Sequence, residues 1–246
     1  MKTETNIQFD FTQESGLKDW FLEGSAHVSL TPEKELLIEG YGDPKGPAGT
    51  PRGRYTLWYK EPIWGDVRFD MDIRGECPNG NIWFFNTQAL KGHKSIFEWE
   101  RPEADYVDYT GEDRMELYSL GILRAHEEKI NFRYIGGSNA GLVNKAGKQN
   151  LGNAADPDNA GLMAKDFEEK TVFHEFPTPF DDPDRWYNLV IEVEHNRIRA
   201  SVDGKEVMDY LDEAHADNPL KGGWFGFRSF TPTRTWCRKL LVSAKG

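Results

Sequence analysis

The sequence has few cysteines, no basic run and no long apolar run. Cys77 and Cys237 are the only cysteines among 246 residues, and their spacing matches no metal-binding motif, so two buried thiols are expected rather than a disulfide. The 30 basic residues are outnumbered by 41 acidic ones, for a net charge of −11. This balance argues against nucleic acid and anionic membranes as partners, because both require a basic surface.

Apolar stretches of about 18 residues are missing, so no transmembrane helix is predicted. Residues Met1 to Asp10 contain no apolar core of a signal peptide. A cytoplasmic protein and an exported protein that has lost its signal peptide therefore both remain open.

Amphipathic helices are also missing, and short strand patterns bounded by turn residues take their place. Antiparallel sheets are therefore expected, and at this length the economical packing is one all-β domain, residues 1–246, built as a two-sheet antiparallel β-sandwich or jelly roll. Asp203-Gly204 predicts a tight hairpin turn. The predicted strands are Ile7–Phe11, Ala26–Leu30, Glu35–Glu39, Tyr55–Tyr59, Val67–Ile73, Asn81–Asn86, Ser95–Glu100, Arg114–Arg124, Lys129–Ile135, Trp186–Glu194, Arg197–Val202, Lys205–Tyr210, Gly223–Ser229 and Cys237–Val242.

Residues 137–184 lack a strand pattern and predict a long loop or lid beside a groove. Their acidic residues could bind a structural calcium ion through loop oxygens, although a solvated acidic loop is the simpler interpretation. No other metal or cofactor is expected. The candidate calcium ligands in this segment are Asp156, Asp158, Asp181, Asp182 and Asp184.

A first candidate site is the acidic segment that starts at Glu98. On a strand, Glu98 and Glu100 would point to one face, and with Glu103 they resemble the spacing of laminarinase-type glycosidases. Pro102 would interrupt a central strand, and a solvated acidic edge is the alternative.

A second candidate site lies on the strands around residues 118 and 133. The even spacing of Tyr118, Arg124 and His126 predicts a common face, and a hairpin would place Asn131 and Arg133 beside it. Arginine binds a carboxylate in a bidentate manner, and Asn or Arg can stabilise an enolate-like charge. Tyr118 and His126 are therefore candidate base and acid, with Tyr109 in reserve. An ordinary polar outer face is the alternative.

Aromatic residues make up 13% of the chain, including 8 Trp, more than a core usually requires, so some rings should face a groove. Trp99, His93 and Arg228 complete the candidate substrate-binding residues. Arg228 lies in an aromatic strand close to the C-terminus, from which it could reach the groove or pair with a surface acid.

Several short motifs, taken in their order and spacing, carry a family resemblance. The motifs are Asp19-Trp20, Glu23-Gly24, Ile82–Phe85, Tyr109, Asp113, Leu117, Arg124, Asn131, Arg133, Gly226-Phe227-Arg228 and Pro232. They resemble the YesU-like family of bacterial concanavalin A-like proteins. The resemblance implies a jelly roll that acts on acidic plant or algal polysaccharides, and it supplies no established catalytic residues. Neighbouring jelly-roll families include lyases that remove the C5 proton of a uronic acid with Tyr or His beside Arg and Asn.

We therefore predict a carbohydrate-active enzyme that acts on uronic-acid-containing oligosaccharides or polysaccharides. The reaction would be β-elimination by C5 proton abstraction, as a lyase or a dehydratase, giving a 4,5-unsaturated uronate. The alternatives are a retaining glycoside hydrolase that uses Glu98 and Glu103, and a non-catalytic carbohydrate-binding protein. The sequence leaves the oligomeric state open.

Overall fold

The computed structural model describes residues 4–40, 55–76, 81–90, 92–99, 114–123, 128–136, 172–229 and 233–246. In these ranges, segments of alternating apolar and polar residues form sixteen strands. Two short 3-10 helices, Glu14–Leu17 and Glu213–His215, accompany them. The strands are β1 (Glu4–Gln8), β2 (Trp20–Gly24), β3 (Ala26–Leu30), β4 (Leu36–Gly40), β5 (Tyr55–Tyr59), β6 (Ile63–Trp64), β7 (Asp66–Glu76), β8 (Asn81–Ala89), β9 (Met115–Ile122), β10 (Lys129–Ile135), β11 (Val172–Pro177), β12 (Tyr187–Glu194), β13 (Arg197–Val202), β14 (Lys205–Leu211), β15 (Gly222–Ser229) and β16 (Thr233–Lys245).

The strands form two antiparallel sheets. The first sheet has the order β14-β13-β12-β7-β16-β4-β3, and β1 also pairs with β16. The second sheet has the order β11-β10-β9-β8-β15-β5-β2, and β6 also pairs with β15. The predicted two-sheet antiparallel sandwich is therefore confirmed.

The inner faces of the two sheets enclose the main hydrophobic core. Alternate residues of each strand enter it, such as Phe69 and Met71 from the first sheet and Phe225 and Phe227 from the second. The predicted hairpin turn at Asp203-Gly204 is confirmed, because it joins β13 to β14 with φ of 51° and 77°. Both angles are the positive values that a two-residue hairpin turn requires.

The second sheet also buries apolar residues on its outer face. Trp58, Phe84, Leu117 and Trp224 form a separate buried cluster there, together with Ile96 from the connection between β8 and β9. Neighbours of these residues along each strand enter the main core instead. The connection after β8 therefore covers part of this outer face.

The prediction that the strands of Tyr118 and Arg133 are neighbours is confirmed, since Arg133 pairs with Ser119 and Tyr134 with Tyr118. The strand predicted for Ser95–Glu100 is wrong, because its described residues form turns and bends. The predicted loop 137–184 contains β11, and β2 and β6 were not predicted. Within the described ranges, no helix is long and apolar enough to cross a membrane.

Candidate active site

The turn that contains His93 and Glu98 is built from local hydrogen bonds. The Glu98 carboxylate accepts from the backbone N–H of Lys94 at 2.9 Å, and Ser95 Oγ accepts from the N–H of Phe97 at 3.1 Å. Such side-chain to backbone bonds compete with strand formation, which explains why this segment is a turn. Buried Ile96 fixes the turn to the outer face of the second sheet.

His93 and Glu98 form a hydrogen-bonded pair on this turn. His93 Nδ1 lies 3.0 Å from Glu98 Oε2, and the side chains are 32% and 40% exposed. The hydrogen bond from His93 is the largest cause that holds the pKa of Glu98 below its ordinary value. When neutral His93 donates from Nδ1, its Nε2 carries the lone pair. The pair therefore has the arrangement of a general base that is oriented by a carboxylate.

Trp99 places an aromatic ring beside this pair. Its ring centroid lies 5.0 Å from that of His93, and the Arg114 guanidinium lies 5.9 Å from the Trp99 centroid. The side chains of His93, Trp99 and Arg114 are partly exposed, so the cluster is accessible to a ligand. Two residues predicted to bind substrate, His93 and Trp99, thus lie beside Glu98, which was an alternative catalytic candidate.

The same outer face carries a buried polar row on β2, β5 and β15. Arg228 is fully buried, and its Nη1 donates to Thr56 Oγ1 at 3.1 Å, while its guanidinium lies 5.5 Å from the Phe84 centroid. Buried Glu23 accepts from Trp58 Nε1 at 2.9 Å. Arg228 and Glu23 are both paired in register with Thr56, which places them on one line across the sheet. Arg228 therefore points towards the outer face, where its side chain is covered, and its role in substrate binding stays a prediction.

Asn131 and Arg133 form a third polar group, at the β10–β11 edge. With the Asn131 amide oriented to satisfy both of its neighbours, its oxygen accepts from Arg133 Nη2 at 2.8 Å and its nitrogen donates to Glu175 Oε1 at 3.1 Å. Asn131 and Arg133 are partly exposed. The alternation along β10 places them on the outer face, with Ile135 of the outer cluster.

The common face predicted for Tyr118 and Arg133 is wrong. Tyr118 is 1% exposed, belongs to the main core between the sheets, and donates from its hydroxyl to Asp212 Oδ2 at 2.5 Å. Burial and the bond to Asp212 raise the pKa of Tyr118 far above its ordinary value. The Arg133 side chain instead points to the outer face of the sheet. The role of Tyr118 as a base stays a prediction, and no observed contact supports it.

Asp212 links Tyr118 to a histidine that the sequence analysis did not identify. Fully buried Asp212 also accepts from His215 Nδ1 at 2.8 Å through the same oxygen and from the His215 backbone N–H at 3.2 Å. The ring centroid of His215 lies 4.2 Å from that of Tyr134. Tyr118 and Tyr134 come from strands distant in sequence from Asp212 and His215, so sequence spacing carried no signal of these contacts.

The predicted calcium ligands lie only partly within the described ranges. Among the acids predicted to bind calcium, Asp181 accepts from the Tyr187 hydroxyl at 2.8 Å and Asp182 accepts from the Asp184 N–H at 2.9 Å. The calcium site stays a prediction, and so do the roles of the residues outside the described ranges. Those residues are Cys77, Glu100, Glu103, Tyr109, Arg124, His126, Asp156 and Asp158.

The fold and the polar outer face define a concanavalin A-like, galectin-like jelly roll. Residues 17–240 match the model of the 3-keto-alpha-glucoside-1,2-lyase-like domain. The chain therefore belongs to this family, whose description is that of a domain acting on carbohydrate. No curated protein sequence matches the chain. The resemblance to the YesU-like family stays a prediction.

Solved structures share the fold at low sequence identity. A protein of unknown function with a galectin-like fold from Bacillus subtilis is 17% identical, with a TM-score of 0.72 over 100% of this chain and 99% of that one. The β-glucanase of Bacillus licheniformis is 10% identical, with a TM-score of 0.55 over 96% and 97%. The Crh5 transglycosylase is 10% identical, with a TM-score of 0.54 over 97% and 84%.

Proposed function

We propose that this protein catalyses β-elimination on a sugar whose carbonyl group acidifies a neighbouring C–H bond. The observation that carries the proposal is the accessible His93–Glu98 pair beside Trp99, in a chain of the 3-keto-alpha-glucoside-1,2-lyase-like family. The neutral imidazole of His93 offers a proton acceptor at Nε2. The indole offers an apolar surface for a sugar ring.

The family description favours a 3-keto-α-glucoside as the substrate. The C2 proton of such a sugar is adjacent to the C3 ketone, so its removal gives an enolate. Electrons then form the C1=C2 double bond while the C1–O bond breaks, and the leaving alcohol takes a proton. The chemistry requires a base at C2 and no net oxidation or reduction.

In this scheme His93 Nε2 accepts the C2 proton, and Glu98 is a positioning residue. Glu98 holds Nδ1 and stabilises the imidazolium that forms when the proton is transferred. Both Glu98 oxygens already accept hydrogen bonds, from His93 and from the Lys94 N–H. This engagement, together with the lowered pKa of Glu98, counts against Glu98 as the acid of a glycoside hydrolase.

A uronate is the second candidate substrate, and Arg133 with Asn131 favours it. These side chains are partly exposed on the outer face, and an arginine can bind a carboxylate. The elimination is analogous: C5 loses the proton next to the C6 carboxylate, and the C4–O bond breaks. The two candidates share the base and differ in the group that acidifies the proton.

The test uses a 3-keto-α-glucoside that carries deuterium at C2, with a uronate oligosaccharide in parallel. Elimination must release the C2 deuterium to solvent together with the leaving group, whereas direct hydrolysis retains the deuterium. Mass spectrometry follows the deuterium, and ultraviolet absorbance follows the conjugated product. A reaction without enzyme measures spontaneous exchange at C2.

His93→Ala should lower kcat at least about a hundredfold, the scale expected for a general base. Glu98→Gln should lower kcat about 10- to 100-fold, as loss of a positioning carboxylate does, and should change the pH profile. His195→Asn is the matched control, because His195 is exposed and has a φ of 55° that Asn tolerates. Retention of deuterium in the product, or full activity of His93→Ala, would refute the proposal.

A further inference from the structure

We propose that the outer face of the first sheet carries a second, non-catalytic site, which binds the carboxylate of an acidic sugar residue. The site is the guanidinium of Arg74 between the indole rings of Trp186 and Trp236. Its sheet is opposite the one that carries the candidate active site. The proposal therefore goes beyond the proposed function and does not depend on it.

The sheet register places the three side chains in one row. Arg74 on β7 pairs directly with Trp236 on β16, and Trp186 immediately precedes Tyr187, which pairs with Ile73. The Arg74 guanidinium carbon lies 4.5 Å from the Trp236 centroid and 5.1 Å from the Trp186 centroid. Both distances are within the range of a cation–π interaction, so the rings hold the guanidinium between them.

Among the described residues, Arg74 differs from the other arginines of this face in having no carboxylate partner. Its Nε is buried and has no acceptor, and no ion pair involves Arg74 among the residues that the structure describes. By contrast, Arg68 lies 2.6 Å from Glu192, Arg197 is bonded to Asp209, and Arg234 lies 3.2 Å from Glu39. Within the described residues, the Arg74 guanidinium thus has no acceptor of its own, and because Nε is covered, a ligand carboxylate would have to meet the Nη groups.

Asp72 and Asp70, two acidic residues on β7, are already paired. Asp72 accepts from Asn188 at 2.9 Å and from Arg238 at 3.2 Å. Asp70 accepts from Lys239 at 2.8 Å and from Asn188 at 2.9 Å. The Arg238 guanidinium, which pairs with Asp72, also lies 4.5 Å from the Trp186 centroid.

The chemistry of the row selects a carboxylate on a sugar. The planar guanidinium of arginine can donate two parallel hydrogen bonds to the two oxygens of a carboxylate. Stacking between the two indole rings fixes the orientation of the guanidinium before a ligand binds. A pre-organised donor loses less conformational entropy on binding. The partly exposed indoles on both sides suit the apolar face of a pyranose ring. A uronic acid residue of a glycan combines both features, whereas sulfate offers only the charge.

The test follows the Arg74 Nε–H signal by NMR in the full chain, and its loss in Arg74→Gln assigns it. The probes are sodium glucuronate, glucose and sodium sulfate at matched ionic strength. We expect glucuronate to shift the signal saturably, and glucose and sulfate to leave it unchanged. Arg74→Gln should weaken glucuronate binding, measured by calorimetry, at least about tenfold, which corresponds to about 1.4 kcal/mol.

Arg68→Gln is the control, because Arg68 is an ion-paired arginine on the same face, and its glucuronate affinity should be unchanged. Arg74→Lys, which keeps the charge and loses the fork, should also bind more weakly than the wild type. Equal shifts with sulfate would identify an unselective anion site and overturn the proposal. Absence of a shift with glucuronate, or unchanged affinity in Arg74→Gln, would overturn it too.

Discussion

Tyr118→Phe tests whether Tyr118 has a structural or a catalytic role. The spacing of the sequence had favoured this residue as a catalytic base. The change removes one hydroxyl and keeps the ring in the main core, where it contacts Phe85 and Phe132. The lost interaction is the hydrogen bond to Asp212 at 2.5 Å. Packing is preserved, so the effect on stability should report this bond.

The magnitude follows from the charge and burial of the acceptor. A hydrogen bond to a charged group contributes about 1.5–3 kcal/mol to stability. Asp212 keeps its two bonds from His215 in the variant, so the carboxylate is not left without a donor and we expect about 2 kcal/mol. For a domain of this size each kcal/mol lowers Tm by about 2–4 °C, which gives about 4–8 °C.

The assay is thermal unfolding followed by circular dichroism, with Asp212→Asn and the double variant completing a double-mutant cycle. Coupling between the two positions should account for most of the loss. Below the unfolding transition, kcat/KM of Tyr118→Phe should stay within about twofold of the wild type. An unchanged Tm combined with a large loss of kcat would refute this reasoning and restore Tyr118 as a catalytic residue.

Three further predictions concern the Glu98 carboxylate, the backbone at Gly223 and the thiol of Cys237. The pKa of Glu98 is lowered in the folded protein, so its ionised form stabilises the fold above the unfolded pKa of about 4.3. This stabilisation is lost as the pH falls through the folded pKa. NMR of the His93 ring should show the His93–Glu98 pair separating only in that acidic window. Gly223→Ala should destabilise the protein by at least about 1 kcal/mol in denaturant titration, because φ is 129° and the added Cβ would collide with the Thr87 carbonyl oxygen; an unchanged midpoint would contradict this. Cys237 should resist thiol reagents until the protein unfolds, because burial raises its pKa. Peptide mass spectrometry separates its labelling from that of Cys77, and labelling of Cys237 in the native protein at the rate of an exposed thiol would show otherwise.

Much of the fold could be predicted from local patterns. Ala26–Leu30, Tyr55–Tyr59, Lys129–Ile135 and Arg197–Val202 were predicted with the bounds that the structure has. In each case alternation, β-branched and aromatic residues and flanking turn residues agree. The strand predicted for Ser95–Glu100 failed because Glu98 and Ser95 bond to nearby backbone N–H groups, a competition that hydrophobic alternation does not register.

The candidate site could be predicted in part. His93, Glu98 and Trp99 were all predicted as site residues, His93 and Trp99 for substrate binding and Glu98 as an alternative catalytic acid, but nothing in the sequence placed them in one cluster. Their assembly depends on the turn, and the turn depends on Ile96 entering a cluster formed by strands far away in sequence. The face of Tyr118 was misjudged because even spacing relates residues of one strand, while the side that faces the core is decided by the partner sheet.

The sequence by itself determined that this protein is built from antiparallel strands, because period-two alternation and turn chemistry are local properties of the chain. It also selected Arg133 and Arg228 as residues that point out of the core. Only the tertiary structure decided which charges are neutralised. Asp212 is bonded to Tyr118, and Arg74 lies between two indoles without a carboxylate among the described residues. Such pairings depend on which strands become neighbours and in which register, and these long-range choices leave no local pattern in the sequence.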